Sequence, residues 1–493
     1  MKFKPYLISL LATAFPNALG FLFFPLYAKA LGASNYGVVA LLEAYQGIAS
    51  ILLFAGMTTA FFVFYSHAED EQEEQEVFNT ATLFGLFILA FAALVALFSK
   101  QITALMFHGE AEVSFVAIYA FAVFSDYMLT LINTLLRIKG KISSLAINAI
   151  LISLVHHGLS FYVVVLLGGD IASFIYIFLV TKTFALMLVV YYTFRLKISM
   201  TSLLIERELL YKMLQFGTPL ILTALTGWVL LLSDRLFINY YVTTAEVGIY
   251  AVAYKFAMGL WIGIVQPFMV VWEPSLFTAF RADPKLGYQK LKRDFSYYLA
   301  GIVILFSGFI LFIGEILKLL FANSEYSHEN SIIYCLVGSY FLMAIGEMWA
   351  SVCRLNKTSR FAFWVTLAVL TTKVVFNITL IPNYLLIGAA VASVLAEFVS
   401  QCVMGSFAVR LSHGEKLFFS LRNWALFSLF CATELLLYVM PEASFLLKSC
   451  FFVGLIVVVV SLFVRELRRQ KFLHGDTQNA ILHETSGAAD LLT

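Results

Sequence analysis

The chain has 493 residues, of which 61% are hydrophobic and 13% are charged, and its mean hydropathy is +0.90. A soluble globular protein carries about 25% charged residues, so this composition excludes a water-soluble fold and predicts that lipid is the main solvent. The formal net charge of +2 is too small to indicate a charged macromolecular partner, and we expect no nucleic acid to bind. The five cysteines match neither a metal-site spacing nor a disulfide framework.

A membrane-spanning helix needs about 20 predominantly apolar residues, and runs of that length follow one another along the whole chain. They predict an all-α integral membrane protein with about fourteen transmembrane helices. The predicted spans are residues 6–28, 38–62, 78–98, 113–135, 143–166, 171–194, 216–240, 247–271, 296–316, 332–353, 361–381, 385–407, 424–440 and 445–464. The connections are too short for a folded domain outside the membrane, so we expect the function to reside between the helices.

The positive charges are unevenly distributed over the loops. Most of the 32 Lys and Arg residues fall in one set of loops and in the two ends of the chain, whereas the other set holds only Lys29, Lys100 and Lys318. Cytoplasmic loops are enriched in Lys and Arg, so we expect both ends of the chain in the cytoplasm. One predicted cytoplasmic loop, residues 67–76, is instead strongly acidic. We interpret it as a solvated loop, with docking of a partner as the alternative.

Similar segments follow the first and the seventh predicted span. They read ASNYGVVA and TAEVGIYA, and they align Gly37 with Gly248. At nearly the same offset, RIKGK from Arg137 aligns with RLNKT from Arg354. The pattern predicts two six-span halves. An even number of spans keeps the orientation of each half, so the repeat is expected to be parallel, with its pseudo-two-fold axis along the membrane normal.

This repeat predicts the organisation of the chain. Residues 1–196 form an N-terminal six-helix lobe, 197–215 a cytoplasmic amphipathic linker, 216–410 a C-terminal six-helix lobe, 411–464 two additional transmembrane helices and 465–493 a cytoplasmic tail. Substrate sites of transporters built in this way lie between the halves near the middle of the membrane.

Ionisable side chains inside membrane spans are costly and usually face a polar interior, so each is a candidate functional residue. The basic candidates are Lys182, Arg235, Lys255 and Lys373, together with His156, which the repeat places opposite Lys373. If they converge on a cavity, they would bind an anionic group such as a phosphate or a carboxylate. The guanidinium of Arg235 would act as a bidentate donor, and the lysines as point charges.

The acidic candidates are Glu43, Asp126, Asp234, Glu347 and Glu397. Carboxylates in a low-dielectric environment can carry coupling protons or bind sodium ions, and structural pairing with a neighbouring cation explains them equally well. One such pairing would join Asp234 to a lysine of the next span.

Two alternatives to a cationic cavity therefore stay open. Asp234 and Lys255 would form an ion pair that holds the seventh and eighth spans together. His156 and His157 would be ordinary polar residues packed in a helix interface.

The sequence contains no Walker loop, no glycine-rich dinucleotide motif and no HExxH motif. We therefore expect a protein that is not an enzyme and that binds no metal or cofactor, with H⁺ or Na⁺ as a coupling ion.

Three stretches carry a family resemblance. They are YAKALGASNYG at residues 27–37, FGTPL at 216–220 followed by SDR at 233–235, and EVGIYAVAYKF at 246–256. In these stretches and in its span count the chain resembles the polysaccharide transporter family of O-antigen-type oligosaccharide flippases, within the multidrug/oligosaccharidyl-lipid/polysaccharide superfamily. The similarity covers essentially the whole chain, and its motifs are diffuse apolar patterns that identify a substrate poorly.

The resemblance implies two six-helix lobes that form a V around a central cavity. It implies that the protein moves an undecaprenyl-pyrophosphate-linked oligosaccharide to the outer leaflet of the bacterial inner membrane, by alternating access coupled to an ion gradient. Members of the family use a cationic lumen, which fits the basic candidates. The implied partners are the lipid-linked oligosaccharide, membrane lipids, and the polymerase and glycosyltransferases of a surface polysaccharide or lipopolysaccharide pathway.

Other activities stay open. A flippase of a peptidoglycan-precursor lipid and a multidrug antiporter share the implied fold. A membrane polysaccharide polymerase or ligase is a distant alternative, because such enzymes need a sizeable outer loop to hold the growing glycan and this sequence has none.

Overall fold

The computed structural model describes residues 3–107, 111–196, 206–322, 324–328, 330–356, 360–412, 420–440 and 443–464. Within these ranges the chain is helical and contains no β-strand. The helices are α1 Phe3–Phe54, α2 Met57–His67, α3 Glu71–Leu97, α4 Ser99–Phe107, α5 Val113–Ile138, α6 Ile142–Ser160, α7 Ile171–Arg195, α8 Arg207–Tyr241, α9 Thr244–Leu260, α10 Gln266–Ala282, α11 Pro284–Leu320, α12 Asn330–Leu355, α13 Arg360–Leu411, α14 Leu421–Val439 and α15 Phe445–Val464. Short π-helical segments continue α6 over Phe161–Leu166 and α9 over Trp261–Val265, and a 3-10 turn covers Glu325–His328.

The helices confirm the prediction of an all-α membrane protein. In the part of the chain that is described, 11 helical segments are long and apolar enough to cross a membrane. Two of them are long kinked helices, α1 with its bend at Gly32 and α13 with its bend at Leu385. The helix α13 holds two predicted spans, whereas α1 holds the first span and most of the second, which ends in α2. A further predicted span coincides with α14, whose apolar run is interrupted by Arg422, Asn423 and Glu434. The predicted spans therefore all map onto these helices.

Side-chain caps fix where several helices begin. Asp70, Asp170, Thr243 and Ser420 each precede a helix, and their side chains accept a hydrogen bond from the backbone N–H three residues further on. Such caps satisfy donors that the first turn leaves unpaired. The interpretation of residues 67–76 as an open loop is therefore wrong for most of the segment. Four of its six acidic residues lie in the first turns of α3, where negative charge is favourable beside the positive end of the helix dipole.

The chain forms two compact units. Unit 1 comprises Met1–Met269 and Ile316–Ala408, and unit 2 comprises Val270–Glu315 and Val409–Thr493. The predicted lobe boundaries stay a prediction. Of the predicted linker, residues 197–205 lie outside the described residues and the rest from Arg207 belongs to α8. The predicted tail, residues 465–493, also lies outside them.

Unit 2 is tied together by polar contacts between its helices. The Lys448 ammonium lies 2.9 Å from the Glu315 carboxylate, which joins α15 to α11. The Ser296 hydroxyl donates to the side-chain oxygen of Asn423 over 2.8 Å, which joins α11 to α14. Hydrogen bonds between helices add modest stability in a membrane, on the order of 1 kcal/mol each.

In unit 1, α1 and α9 cross with their backbones in contact at the two aligned glycines. A Cβ added to Gly37 would lie 1.9 Å from the carbonyl oxygen of Thr244, and a Cβ added to Gly248 would lie 2.0 Å from the carbonyl oxygen of Ala33. The contact is reciprocal: Gly37 packs on Thr244, four residues before Gly248, and Gly248 packs on Ala33, four residues before Gly37. This reciprocal contact is what a two-fold repeat produces close to its axis.

Gly37→Ala is expected to lower the thermal stability of the purified protein, because the methyl group must push α1 away from α9. Overpacking of a well-packed contact costs typically about 1–3 kcal/mol. Gly227→Ala on α8 is the matched control, since a Cβ there has no neighbour within 4 Å. Equal melting temperatures for the two variants, measured in the same detergent, would contradict the close crossing.

The bend at Gly32 also belongs to unit 1. Gly32 has φ 77°, a left-handed conformation that only glycine adopts without strain. The bend removes Ala33 from the regular helix ladder, and its N–H donates to the Glu325 carboxylate over 3.3 Å. The segment before α12 therefore caps the bend, and the second half of α1 is directed across α9.

Candidate functional site

A cavity of about 210 Å³ lies between α1, α6, α7 and α9 in unit 1. Its aromatic wall comes from α1 and α7 and includes Phe21, Phe24, Tyr27 and Phe174. Its polar lining comes from α1, α6 and α9, and consists of Asn17, Tyr36, Glu43, His156, His157 and Lys255. Mostly apolar cavities with a few convergent polar groups are the usual form of a small-molecule site.

Glu43 joins α1 to two cations. Its carboxylate lies 3.3 Å from the Arg235 guanidinium on α8 and 3.6 Å from the Lys255 ammonium on α9. The glycine crossing explains the meeting of Glu43 and Lys255. Each residue lies about 10 Å along its helix from the glycine at the crossing, so the two side chains face each other just inside the contact.

Arg235 is the buried anchor of this group, with a side chain only 4% exposed. Its guanidinium donates to the carbonyl oxygen of Ala40 over 3.0 Å and lies 5.9 Å from the centre of the Tyr254 ring. Lys255 is more accessible, with 22% of its side chain exposed, and its ammonium lies 5.1 Å from the centre of the Tyr36 ring. Arg235 therefore holds α8 to α1, whereas Lys255 presents its charge to the cavity.

Asp234 belongs to a separate cluster that is fully buried. Its carboxylate accepts hydrogen bonds from the Lys373 ammonium at 2.8 Å, from Tyr250 at 2.6 Å and from Asn377 at 2.8 Å. The Ser393 hydroxyl contacts both Asp234 and Lys373. Lys373 is 0% exposed and Asp234 1% exposed. The cluster ties α8 and α9 to α13.

The predicted pairing of Asp234 with Lys255 is therefore wrong. Consecutive residues point about 100° apart around a helix, so Asp234 and Arg235 face different neighbours. Asp234 faces α13 and pairs with Lys373, and Arg235 faces α1. The partner of Lys255 comes from the other half of the repeat, on α1.

Lys182 is also held in an ion pair. Its ammonium lies 2.5 Å from the Asp126 carboxylate on α5 and 4.7 Å from the centre of the Phe178 ring. The second carboxylate oxygen of Asp126 accepts a hydrogen bond from Gln46 over 2.7 Å. This triad joins α7 and α5 to α1, within the predicted N-terminal lobe.

The two histidines stand on the α6 side of the cavity. The hydroxyl of Tyr27 donates to the carbonyl oxygen of His157 over 3.0 Å, and the rings of Phe23 and His157 stack with centroids 5.8 Å apart. His156 lies 3.5 Å from the Thr181 hydroxyl. Both alternatives for His156 thus hold in part, because it packs in a helix interface and also lines the cavity.

The remaining acidic candidates lie away from this cavity. Glu397 accepts a hydrogen bond from Gln401 over 3.3 Å. With Lys373 and Tyr340 it lines a space of about 20 Å³, room for about one water molecule. Glu347 pairs with Arg354 over 3.2 Å at the end of α12.

The structure thus brings together only part of the predicted cationic set. Lys255 and His156 line the cavity, and Arg235 reaches it through Glu43. Lys182 and Lys373 are neutralised in ion pairs of their own and are not among the lining residues of this cavity. The sequence indicated both adjacent histidines as polar packing but offered only His156 as a site candidate, and the structure places His157 in the cavity lining as well.

The cavity wall carries one cation, Lys255, and one carboxylate, Glu43, which is paired with the Arg235 guanidinium behind it. Arg235 and Lys255 supply two positive charges, and Glu43 neutralises one of them. Asn17, Tyr36 and the histidines add polar groups at the cavity wall. A phosphate or carboxylate entering the cavity would meet the Lys255 ammonium first, because this cation is the more exposed of the two.

Comparison with known proteins identifies the family. A sequence model of the family described as "Polysaccharide biosynthesis protein" matches residues 4–280 of the chain. The chain belongs to this family. The capsular polysaccharide biosynthesis protein CapF of Staphylococcus aureus is 27% identical over 132 residues, which are 26% of this chain and only 33% of CapF.

Solved structures show which fold this polysaccharide biosynthesis protein has. The lipid II flippase MurJ in an inward closed conformation matches with a TM-score of 0.72 and 17% identity, over 94% of this chain and 99% of MurJ. An inward-facing MATE-family multidrug transporter of the MOP superfamily matches with a TM-score of 0.63 and 16% identity, over 83% of this chain and 99% of that one. At such identities the likeness establishes the fold alone. The predicted fold class is confirmed, and the chain is a multi-pass membrane protein.

Proposed function

We propose that this protein is a flippase that translocates an undecaprenyl-pyrophosphate-linked oligosaccharide across the bacterial inner membrane by alternating access. The oligosaccharide is the repeat unit of an O-antigen or a similar surface polysaccharide. The single observation that carries the proposal is the cavity of about 210 Å³ that Lys255 and Glu43 line, with the Arg235 guanidinium paired to Glu43 behind the wall, in a chain of the polysaccharide biosynthesis family.

The chemistry of the cargo supports this assignment. A pyrophosphate-linked sugar has an anionic centre beside polar rings, and the cavity offers a cation beside aromatic and polar side chains. The lipid tail needs no protein cavity, because membrane lipids can solvate it while the anionic group enters between the helices. Glycosyltransferases would supply such a cargo, and a polymerase on the outer side would consume it. The protein itself catalyses no covalent step.

The orientation also belongs to the proposal. We assign the protein to the bacterial inner membrane with both ends of the chain in the cytoplasm, and the bias of Lys and Arg toward one set of loops supports this orientation. Transport is coupled to a proton or sodium gradient, and Glu397 is a candidate carrier, since its carboxylate has no cation within ion-pair distance among the described residues.

Related activities of the same fold are distinguished by their cargo. A peptidoglycan-precursor flippase would also need an anion site, whereas a multidrug antiporter selects cargo that is commonly cationic or apolar. The description of the matching family favours the polysaccharide cargo.

Expression in a bacterial strain that lacks its own polysaccharide flippase tests the proposal. Wild-type protein is expected to restore surface polysaccharide, and Lys255→Ala is expected to reduce it at least about tenfold, because a lost charge-assisted contact is worth about 1.5–3 kcal/mol. Lys100→Ala, at an exposed position, is the control. Accumulated lipid-linked oligosaccharide should appear on the cytoplasmic side. Restoration of peptidoglycan synthesis instead of surface polysaccharide would contradict the proposed cargo.

A further inference from the structure

Glu43 places a negative charge in the cavity that is proposed to receive an anion. Its side chain is 40% exposed and is aimed at the two cations that the cargo needs. A carboxylate there repels an incoming phosphate unless it is itself moved aside. A glutamate at this position therefore weakens the binding of an anion, and we look for its role in the transport cycle instead.

The two contacts of Glu43 are unequal. Arg235 is anchored independently of Glu43, because its guanidinium also donates to the Ala40 carbonyl oxygen at 3.0 Å and its side chain is 4% exposed. Lys255 stands 3.6 Å from Glu43 and is 22% exposed. A hydrogen bond between charged groups is typically shorter, about 2.7–2.9 Å. The Lys255 contact is consequently the one that a ligand can take over.

We propose that Glu43 is an internal competitor for the anionic group of the cargo. A phosphate or pyrophosphate that binds Lys255 displaces the Glu43 carboxylate, and this displacement weakens the link between α1 and α9. The inference rests on the proposed function, and it assigns to Glu43 the step by which cargo binding is converted into movement of α1.

Contacts near Glu43 indicate which helices remain bound to α1 after the displacement. Gln46 lies three residues further along α1, on the same side of the helix, and donates to Asp126 on α5 over 2.7 Å. Asp126 in turn is paired with Lys182 on α7. After release from Lys255 the second half of α1 remains joined to α5 and α7, so α1 separates from α9 together with its own half of the repeat.

Displacement also selects the cargo by charge. A ligand shifts an equilibrium only by the difference between its affinities for the two states. A neutral or cationic molecule gains nothing from replacing the Glu43 carboxylate at Lys255, and it leaves the link intact. A pyrophosphate carries more negative charge than the carboxylate and competes effectively. Glu43 is therefore a specificity-determining residue that rejects uncharged lipids.

Binding of inorganic pyrophosphate to the full chain in detergent tests the inference. Glu43→Gln keeps the size of the side chain and removes the competing charge, so it is expected to bind pyrophosphate at least tenfold more tightly than wild type. Lys255→Gln is expected to bind at least tenfold more weakly. Glu347→Gln, which removes the acid of the pair with Arg354 outside the cavity, is the matched control and is expected to leave the affinity unchanged.

Unchanged or weaker pyrophosphate binding by Glu43→Gln overturns the inference, as does the absence of binding by every variant. If the glutamine variant does not fold, Glu43→Asp replaces it. Its carboxylate is withdrawn by one methylene from Lys255, so the same tightening is expected to a smaller extent. Failure of the proposed function would look different. The variants would then bind pyrophosphate in the expected order of affinity, but the wild-type protein would not restore surface polysaccharide.

Discussion

Lys373→Met is expected to destabilise the protein by about 3–5 kcal/mol, the usual cost of removing one partner of a buried ion pair. The substitution keeps the volume of the side chain and removes only its charge. Asp234 would remain 1% exposed, with hydrogen bonds from Tyr250 and Asn377 and with no cation to balance its charge. Thermal unfolding of the purified protein in detergent measures the loss.

The double variant Asp234→Asn with Lys373→Met separates charge from packing. Replacing both members of a buried pair by uncharged residues is often neutral, so the double variant is expected to recover most of the stability that each single variant loses. A double-mutant cycle gives the coupling energy directly. If the losses simply add, Lys373 and Asp234 do not interact in the membrane, and Lys373 is then free to face the cargo as the sequence alone predicted.

Arg235→Ala is expected to reduce the surface polysaccharide at least tenfold while the protein level stays near that of wild type. The substitution removes the anchored cation of the cavity and leaves the Ala40 carbonyl oxygen and the Glu43 carboxylate with fewer donors. Truncation of one partner of a desolvated charge pair costs about 2–5 kcal/mol. The measurement combines surface polysaccharide with an immunoblot of the membrane fraction.

Arg235→Lys tests the geometry of the contact. It keeps the charge but replaces the guanidinium, whose Nη1 donates to both Ala40 and Glu43, by a compact ammonium on a flexible chain, so partial recovery of surface polysaccharide is expected. Arg354→Ala is the control, because it removes an arginine paired with Glu347 on α12 and away from the cavity. Normal surface polysaccharide in Arg235→Ala would rule out a role for this cation in transport.

Much of the fold followed from the sequence because lipid imposes a simple rule on it. Each span needs a long apolar run, so the helices could be located from composition and length. The glycine alignment of the two halves placed Gly37 opposite Gly248, and the structure brings these residues into contact. The break between the predicted spans 361–381 and 385–407 was also foreseen, but not that Leu385 would take the left-handed conformation with φ 51°, since glycine is the residue expected there.

The candidate site was predictable in its residue types and not in its pairs. The charged residues inside spans were visible, but their partners depend on the rotation of each helix about its axis, which apolar sequences on all sides do not specify. Asp234 and Arg235 illustrate this, since adjacent positions on α8 serve two different clusters. Lys373 was a candidate for binding because its partner lies far away in the sequence. Only the packing of α13 against α8 reveals that its charge is already balanced.

Glu43 and Asp234 differ in exposure, so we expect the ion pairs that they form to differ in sensitivity to ionic strength. Salt screens charges that water can reach and leaves buried pairs nearly unaffected. Glu43 is 40% exposed in its cavity, whereas the pair of Asp234 and Lys373 is almost completely shielded. Concentrated salt therefore loosens the junction of α1 with α8 and α9 before it disturbs the cluster that holds α8 to α13.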